Sequence, residues 1–164
     1  MSLPGSSEMG YDEGLYVFVM RLREPQPVEV GALGVIDFPP GWYMYTGSAR
    51  RGLRKRVERH WGLKQNLRWH MDYLATAPTS EPVGAVVIPA SAGMDECWLN
   101  QRVGEMFGGQ VPAPGFGASD CRAGCPAHLF HSAAAVSLLA VARVHEEAAV
   151  LLPGDLEAGV VFDL

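Results

Sequence analysis

Tyr43–His60, YMYTGSARRGLRKRVERH, opens as a continuous apolar-aromatic strand and breaks at Thr46-Gly47-Ser48 into a small-residue turn. It continues as a helix with six cationic residues between Arg50 and Arg59. On that helix, starting near Gly52, Leu53, Val57 and Trp61 recur at i, i+4 and i+8 and form one apolar stripe to lay against a sheet. At about 100° per residue, Arg56 and His60 fall together on a border of the stripe, while Lys55 and Arg59 point away. A side chain on such a border can be half-buried and still reach a ligand, so the stretch is suited to meet phosphate.

Working outward, Leu15–Leu22 (LYVFVMRL) is apolar on both faces until Arg21 and predicts an interior strand, with Tyr16 on the face of Phe18, Met20 and Leu22. Val28–Val30 and Leu33–Phe38 predict a hairpin joined near Gly31-Ala32, with Gly34 as a bulge. Downstream, Leu67–Ala77 reads as partly helical and Val83–Ile88 as a buried strand. Asp95–Phe107 reads as a helix whose inward stripe is Leu99, Val103, Met106 and Phe107. Glu96 falls inside that apolar sector. A carboxylate aimed at a core costs several kcal/mol unless it is paired, protonated or bound to a cation. A loop rich in Gly, Pro and Cys then leads to a short strand, HLFH at 128–131, and a helix near Ala133–Arg143. This order of elements implies an α/β sandwich with a small mixed or antiparallel sheet.

A chain of 164 residues is expected to form one domain with a core of its own. Its net charge of −5 argues against coating nucleic acid or an acidic membrane over the whole surface. Yet eight of the thirteen Lys and Arg lie between Arg50 and Arg68: Arg50, Arg51, Arg54, Lys55, Arg56, Arg59, Lys64 and Arg68. A basic cluster in an acidic chain points to a local anion site, and these cations are the candidate nucleic-acid contacts. The opening residues lack a basic start followed by an apolar core, and the longest apolar run, Ala133–Ala142, is shorter than the roughly 20 residues a bilayer requires. No membrane partner is expected. Three cysteines, an odd number, favour a reducing compartment, with the cytoplasm as the default.

Cleaving a phosphodiester needs a nucleophile made from water, positive charge on the pentavalent transition state and, usually, a metal at the leaving oxygen. Tyr16 or Tyr45 could accept or relay a proton, Arg56 could hold the phosphate by its planar fork, and His60 could orient water or contact phosphate. Glu96 could bind Mg²⁺ through oxygen, with water filling the remaining positions. The tyrosines also read as core aromatics, and the basic helix face as a solvated surface. A second constellation is Cys121, Cys125, His128 and His131, with Cys97 available from the preceding helix. It reads first as packing or as unligated thiols, and second as a zinc site carried by Cys121, Cys125 and His128.

Gly14-Leu15-Tyr16, then Tyr45-Thr46-Gly47, then LRKRVERH ending at His60 and a later Glu96 on a helix resemble the GIY-YIG nuclease superfamily. GLYVFVMRL, FPPGWYMYTGSA, WHMDYL, ECWLNQ and VPAPGFGASDCRAGCPAHLFH resemble its Uri-type endonuclease branch more closely. The resemblance spans roughly Gly14 to His131. It implies a central three-stranded antiparallel sheet flanked by helices, and metal-dependent hydrolysis of DNA, using Mg²⁺ or Mn²⁺. On the matching positions, Tyr16 and Tyr45 are the motif tyrosines, Arg56 the motif arginine, His60 the motif histidine and Glu96 the metal-binding glutamate; Tyr16 takes the role proposed for a general base. The spacing between the two triplets is longer than usual, in keeping with an inserted hairpin, and the polar Asn that follows the glutamate in some members has no secure counterpart. The expected organisation is a flexible tail over 1–13, a nuclease-like domain over 14–131 and a C-terminal extension over 132–164 packed on it. A DNA endonuclease or nickase is the function expected. A binding module derived from a nuclease, gripping nucleic acid without cutting, and a zinc-stabilised interaction protein are its rivals.

Overall fold

The computed structural model describes residues 12–61, 67–154 and 162–163. In chain order the elements are β1 (Gly14–Leu22), β2 (Gln26–Glu29), β3 (Val35–Phe38), β4 (Gly41–Ala49), α1 (Leu53–Trp61), α2 (His70–Ala75), β5 (Ser80–Pro89), α3 (Glu96–Met106), β6 (Leu129–Ser132), α4 (Leu138–Ala142), β7 (Ala149–Leu151) and β8 (Phe162–Asp163). The fold is mixed α/β. Apolar side chains on both faces place β1 in the middle of the main sheet, paired antiparallel with β4 on one edge and β5 on the other.

The resemblance predicts three strands, and the sheet has six, in the order β6-β4-β1-β5-β7-β8, with every pairing antiparallel. β2 and β3 form a separate two-stranded sheet, which is the expected hairpin. Gly34 is not a bulge: it leaves a 3-10 turn, Gly31–Leu33, at φ 78°, a left-handed conformation open to glycine. The extra strands come largely from the C-terminal segment expected to lie on the domain as an extension. β7 instead pairs with β5, so the segment continues the sheet. Residues at the expected tail boundary are also tied in. The Gly52 N–H donates to Asp12 Oδ1 at 2.7 Å and the Ala90 N–H to the Glu13 carbonyl at 2.9 Å. The rest of the expected tail, residues 1–11, lies outside the described residues.

Alternation along the strands divides the core in two. Tyr16, Phe18, Met20 and Tyr45 pack with Leu53 and Val57 of α1 and Met71 and Leu74 of α2. Val17, Val19, Met44 and Ile88 pack with Leu99 and Val103 of α3 and Val141 of α4. Helices therefore cover both faces of the sheet. None among the described residues is long and apolar enough to cross a membrane.

Candidate active site and metal centre

The register of β1 on β4 sets Tyr16 directly opposite Gly47. A Cβ at Gly47 would stand 2.6 Å from the Tyr16 hydroxyl oxygen, so only glycine leaves room for that phenol. The tyrosine of GLY and the glycine of YTG are thus two halves of one contact. Tyr45, two residues back along β4, brings its ring centroid to 6.1 Å from that of Tyr16. Burial lifts the Tyr16 hydroxyl well above its usual pKa, and the neighbouring Tyr45 adds to the rise against the pull of Arg56. Burial pushes Tyr45 up to about 12, with Glu96 adding and Arg56 opposing.

The Tyr16 hydroxyl lies 2.7 Å from His60 Nε2. His60, in the last turn of α1, is 1% exposed and stacks on Phe18 with centroids 5.1 Å apart. Its expected contact with phosphate or water does not fit this burial. Its border position is covered by the rings of Tyr16, Phe18 and Tyr45, and Tyr16 stands between it and the adjoining cavity.

Tyr16 and Tyr45 line a cavity of about 500 Å³ together with Arg56, Trp69, Glu96 and His128. Arg56 donates from Nη1 to the Ser48 carbonyl at 3.2 Å and sets its guanidinium carbon 4.4 Å from the Trp69 ring centroid. Trp69 was not among the expected site residues. An aromatic next to a basic cluster is the signal that could have found it. Arg59 also meets Trp69, at 4.6 Å, and donates from Nη2 to the buried Asp72 Oδ2 at 2.8 Å. Asp72 accepts the Arg68 and Trp69 N–H groups as well, at 2.9 and 3.0 Å, and so caps α2 as it clamps α2 to α1. Burial alone would raise the Asp72 pKa, but these donors hold it below the usual carboxylate value.

The basic cluster therefore splits. Arg50, Arg51, Lys55 and Arg68 are exposed. Arg54 is buried with Nε on Glu58 Oε1 at 2.9 Å, and the partly exposed Arg59 pairs with Asp72, so both are tied into the fold in a way the exposed four are not. Lys64 lies outside the described residues. A second cavity of about 790 Å³ runs along α1, lined by Arg51, Lys55 and Arg59, and shares Arg56 and Trp69 with the first. His70 accepts the Gly117 N–H on Nδ1 at 2.8 Å while lining the first cavity.

β6 pairs with β4 only as far as Tyr45. Beyond it the Thr46 N–H donates to the His128 carbonyl at 3.0 Å, which brings the Cys/His loop against the start of α3. There His128 Nδ1 donates to Glu96 Oε2 at 2.9 Å, the partner that the inward phase of Glu96 demanded. Partial burial raises the Glu96 pKa, but hydrogen bonds from His128 and Ser48 outweigh it and keep the carboxyl below its ordinary value. In return the Glu96 hydrogen bond lifts His128 to about 9, against its burial.

Cys97, Cys121, Cys125 and His128 bring one donor atom each within 4.8 Å of one another, a group able to hold a metal ion. Cys97 Sγ lies 3.5 Å from Cys121 Sγ and 3.9 Å from His128 Nε2. The edge of a tetrahedron with zinc–sulfur bonds of about 2.3 Å is about 3.8 Å. Soft thiolates with one imidazole suit zinc better than the oxygen-seeking magnesium expected at Glu96. The fourth donor differs from the expected constellation. His131 turns away, its Nε2 2.9 Å from the Pro40 carbonyl, and Cys97 takes the place. Partial burial pushes the Cys97 thiol up, whereas the Cys125 N–H and the His128 hydrogen bond draw Cys121 down.

No curated protein and no solved structure matches the chain. The family model described as domain of unknown function DUF123 matches residues 15–150, which contain every side chain of the cavity and of the Cys/His cluster. The chain therefore belongs to the DUF123 family.

Proposed function

We propose that this protein is a metal-dependent phosphodiester hydrolase that nicks or cuts DNA. The observation that carries the reading is that Tyr16, Tyr45, Arg56 and Glu96, drawn from β1, β4, α1 and α3, line one cavity. This supports the GIY-YIG-like arrangement that the motif order suggests. Arg56 presents a fixed positive fork to the charge that develops on the pentavalent phosphate. A phenol held this far above its usual pKa is a poor base by itself. The 2.7 Å contact with His60 lets Tyr16 pass its own proton to Nε2 as its oxygen takes one from the attacking water. A magnesium or manganese ion held by Glu96 would supply Lewis-acid charge to the phosphate oxygens. Arg50, Arg51, Lys55 and Arg68 steer the DNA backbone towards the cavity.

In the same reading the Cys97/Cys121/Cys125/His128 cluster takes zinc, as a closed four-donor centre that pins the loop to α3. A centre with three thiolate ligands fits a reducing compartment such as the cytoplasm.

Supercoiled plasmid incubated with pure protein and Mg²⁺ or Mn²⁺ tests the reading. Nicked or linear product is expected, with loss of about 10²–10³ in rate for Arg56→Ala. Failure to cleave any DNA form, or full activity after Glu96→Ala, would overturn it. The deep burial of the Tyr16 hydroxyl favours one rival, a module that binds nucleic acid without cutting it. That rival requires salt-dependent binding that survives Glu96→Ala and Tyr16→Phe without added metal.

A further inference from the structure

Glu96 faces two sites at once. It lines the cavity beside Tyr16 and Arg56, and its Oε2 accepts from His128 Nδ1 at 2.9 Å. The other nitrogen of the same imidazole, Nε2, lies 3.9 Å from Cys97 Sγ on the side of the three thiols. His128 is 2% exposed, and its Nδ1 has a second acceptor in the Thr46 carbonyl at 3.3 Å. Metal-bound imidazoles commonly donate their second N–H to a carboxylate, which fixes the ring and its tautomer.

We propose that Glu96 is a positioning residue of the Cys97/Cys121/Cys125/His128 zinc centre, holding His128 by Nδ1 so that Nε2 faces the thiols, in addition to its place in the cavity. The inference rests on the zinc reading of that cluster. Because Cys97 follows Glu96 directly, the first turn of α3 supplies both a ligand and the carboxylate that orients another ligand. A Glu96→Ala enzyme that no longer cuts DNA has then lost two things, the cavity carboxylate and a well-ordered zinc centre.

Glutamine at this position separates them, since its side-chain oxygen can still accept from Nδ1–H but carries no charge for a cation. Zinc affinity is measured by competition with a chromophoric chelator on full-length wild type, Glu96→Ala and Glu96→Gln. The absorption of the Co²⁺-substituted proteins serves as a second readout of ligand geometry. The expected result is zinc binding weakened about 10- to 100-fold in Glu96→Ala, with a changed Co²⁺ spectrum, and restored towards wild type in Glu96→Gln. Circular dichroism of the zinc-loaded proteins establishes that Glu96→Ala is folded; if it is not, the Glu96→Gln and wild-type spectra decide, and a Co²⁺ spectrum altered by glutamine overturns the proposal. Equal zinc affinity in wild type and folded Glu96→Ala overturns it and leaves the zinc reading standing. Wild type that binds no zinc overturns both. DNA cleavage enters none of these readouts, so the nuclease reading stands or falls separately.

Discussion

The two sides of the cavity are built by different means. Arg56 and Trp69 sit at the junction of α1 with α2, where Leu53, Val57, Met71 and Leu74 are fully buried against the sheet and Arg59–Asp72 locks the helices together. The opposite side is the chain from 111 to 128, which contains no helix or strand and buries few large side chains, Phe116 being the main one. Turn hydrogen bonds such as Phe116 N–H to the Ala113 carbonyl, 3.1 Å, shape it locally. It is tied to α3 by the buried Asn100 Nδ2 hydrogen bond to the Ala127 carbonyl, 2.8 Å, and by the cluster of three thiols and His128. The helical side rests mainly on hydrophobic burial, whereas the loop side buries less and leans more on side-chain donors, so the two should fail under different insults.

Metal removal should have the largest effect, and on one side only. Structural zinc contributes on the order of 10 kcal/mol in small zinc domains. Chelation of the wild-type protein should make 111–128 sensitive to proteolysis while the amides of β1 and β4 keep their protection from hydrogen exchange. Uniform loss of protection across both would erase the distinction.

Asp72→Asn attacks the helical side instead. It leaves the partly exposed Arg59 guanidinium without its carboxylate and should cost about 1–3 kcal/mol in urea unfolding, with zinc affinity unchanged. The folded-state pKa of Asp72 is depressed, so its contribution is present above the unfolded-state value of about 3.9 and disappears as pH falls through the lower folded value. The gap between wild type and variant should therefore be full near neutrality and narrow below about pH 4. A gap that stays constant to low pH would mean that the ion pair contributes nothing.

Gly47→Ala probes the sheet beneath the cavity. The new Cβ has to displace the Tyr16 ring from its hydrogen bond with His60, at a cost of about 1–3 kcal/mol, and DNA cleavage should fall with it. Normal stability and activity would show that the close approach is not required. Smallest of all, Lys55→Ala should leave stability within about 0.5 kcal/mol. It should reduce the slope of log affinity for DNA against log salt by about 0.9. An unchanged slope would remove Lys55 from the DNA path.

Periodicity carried the helical side of the cavity. The i, i+4, i+8 stripe of Leu53, Val57 and Trp61 located α1, and strand patterning located β1 with Tyr16 facing its core. The inward phase of Glu96 correctly demanded a partner, without saying which. The wheel misplaced His60 because a border position can be covered from outside the helix, here by the rings of Tyr16, Phe18 and Tyr45. Arg54 and Arg59 looked like their exposed neighbours because charge alone does not reveal a buried carboxylate such as Asp72, 13 residues beyond Arg59. His131 on β6 and Cys97 on α3 were both candidates for the cluster. Only the path of the backbone, with His128 bonded to Thr46 and His131 to the Pro40 carbonyl, selected between them.

By itself the sequence determined most of the local elements and the chemistry they can carry, because hydrophobic period acts over a few positions. But Thr46-Gly47-Ser48, expected as a turn, stays in β4, where pairing with β1 overrides its small residues, and the helix expected near Ala133–Arg143 is confined to Leu138–Ala142. Tyr16, Tyr45, Arg56 and Glu96 were legible on that basis together with the motif order. Tertiary structure alone decided that the C-terminal segment would extend the sheet, that His60 would be sealed behind Tyr16, and that His128 would join Glu96 to the thiols. Those outcomes depend on pairings across tens of residues, and they are set by which buried donors and acceptors remain to be satisfied once the sheet has closed.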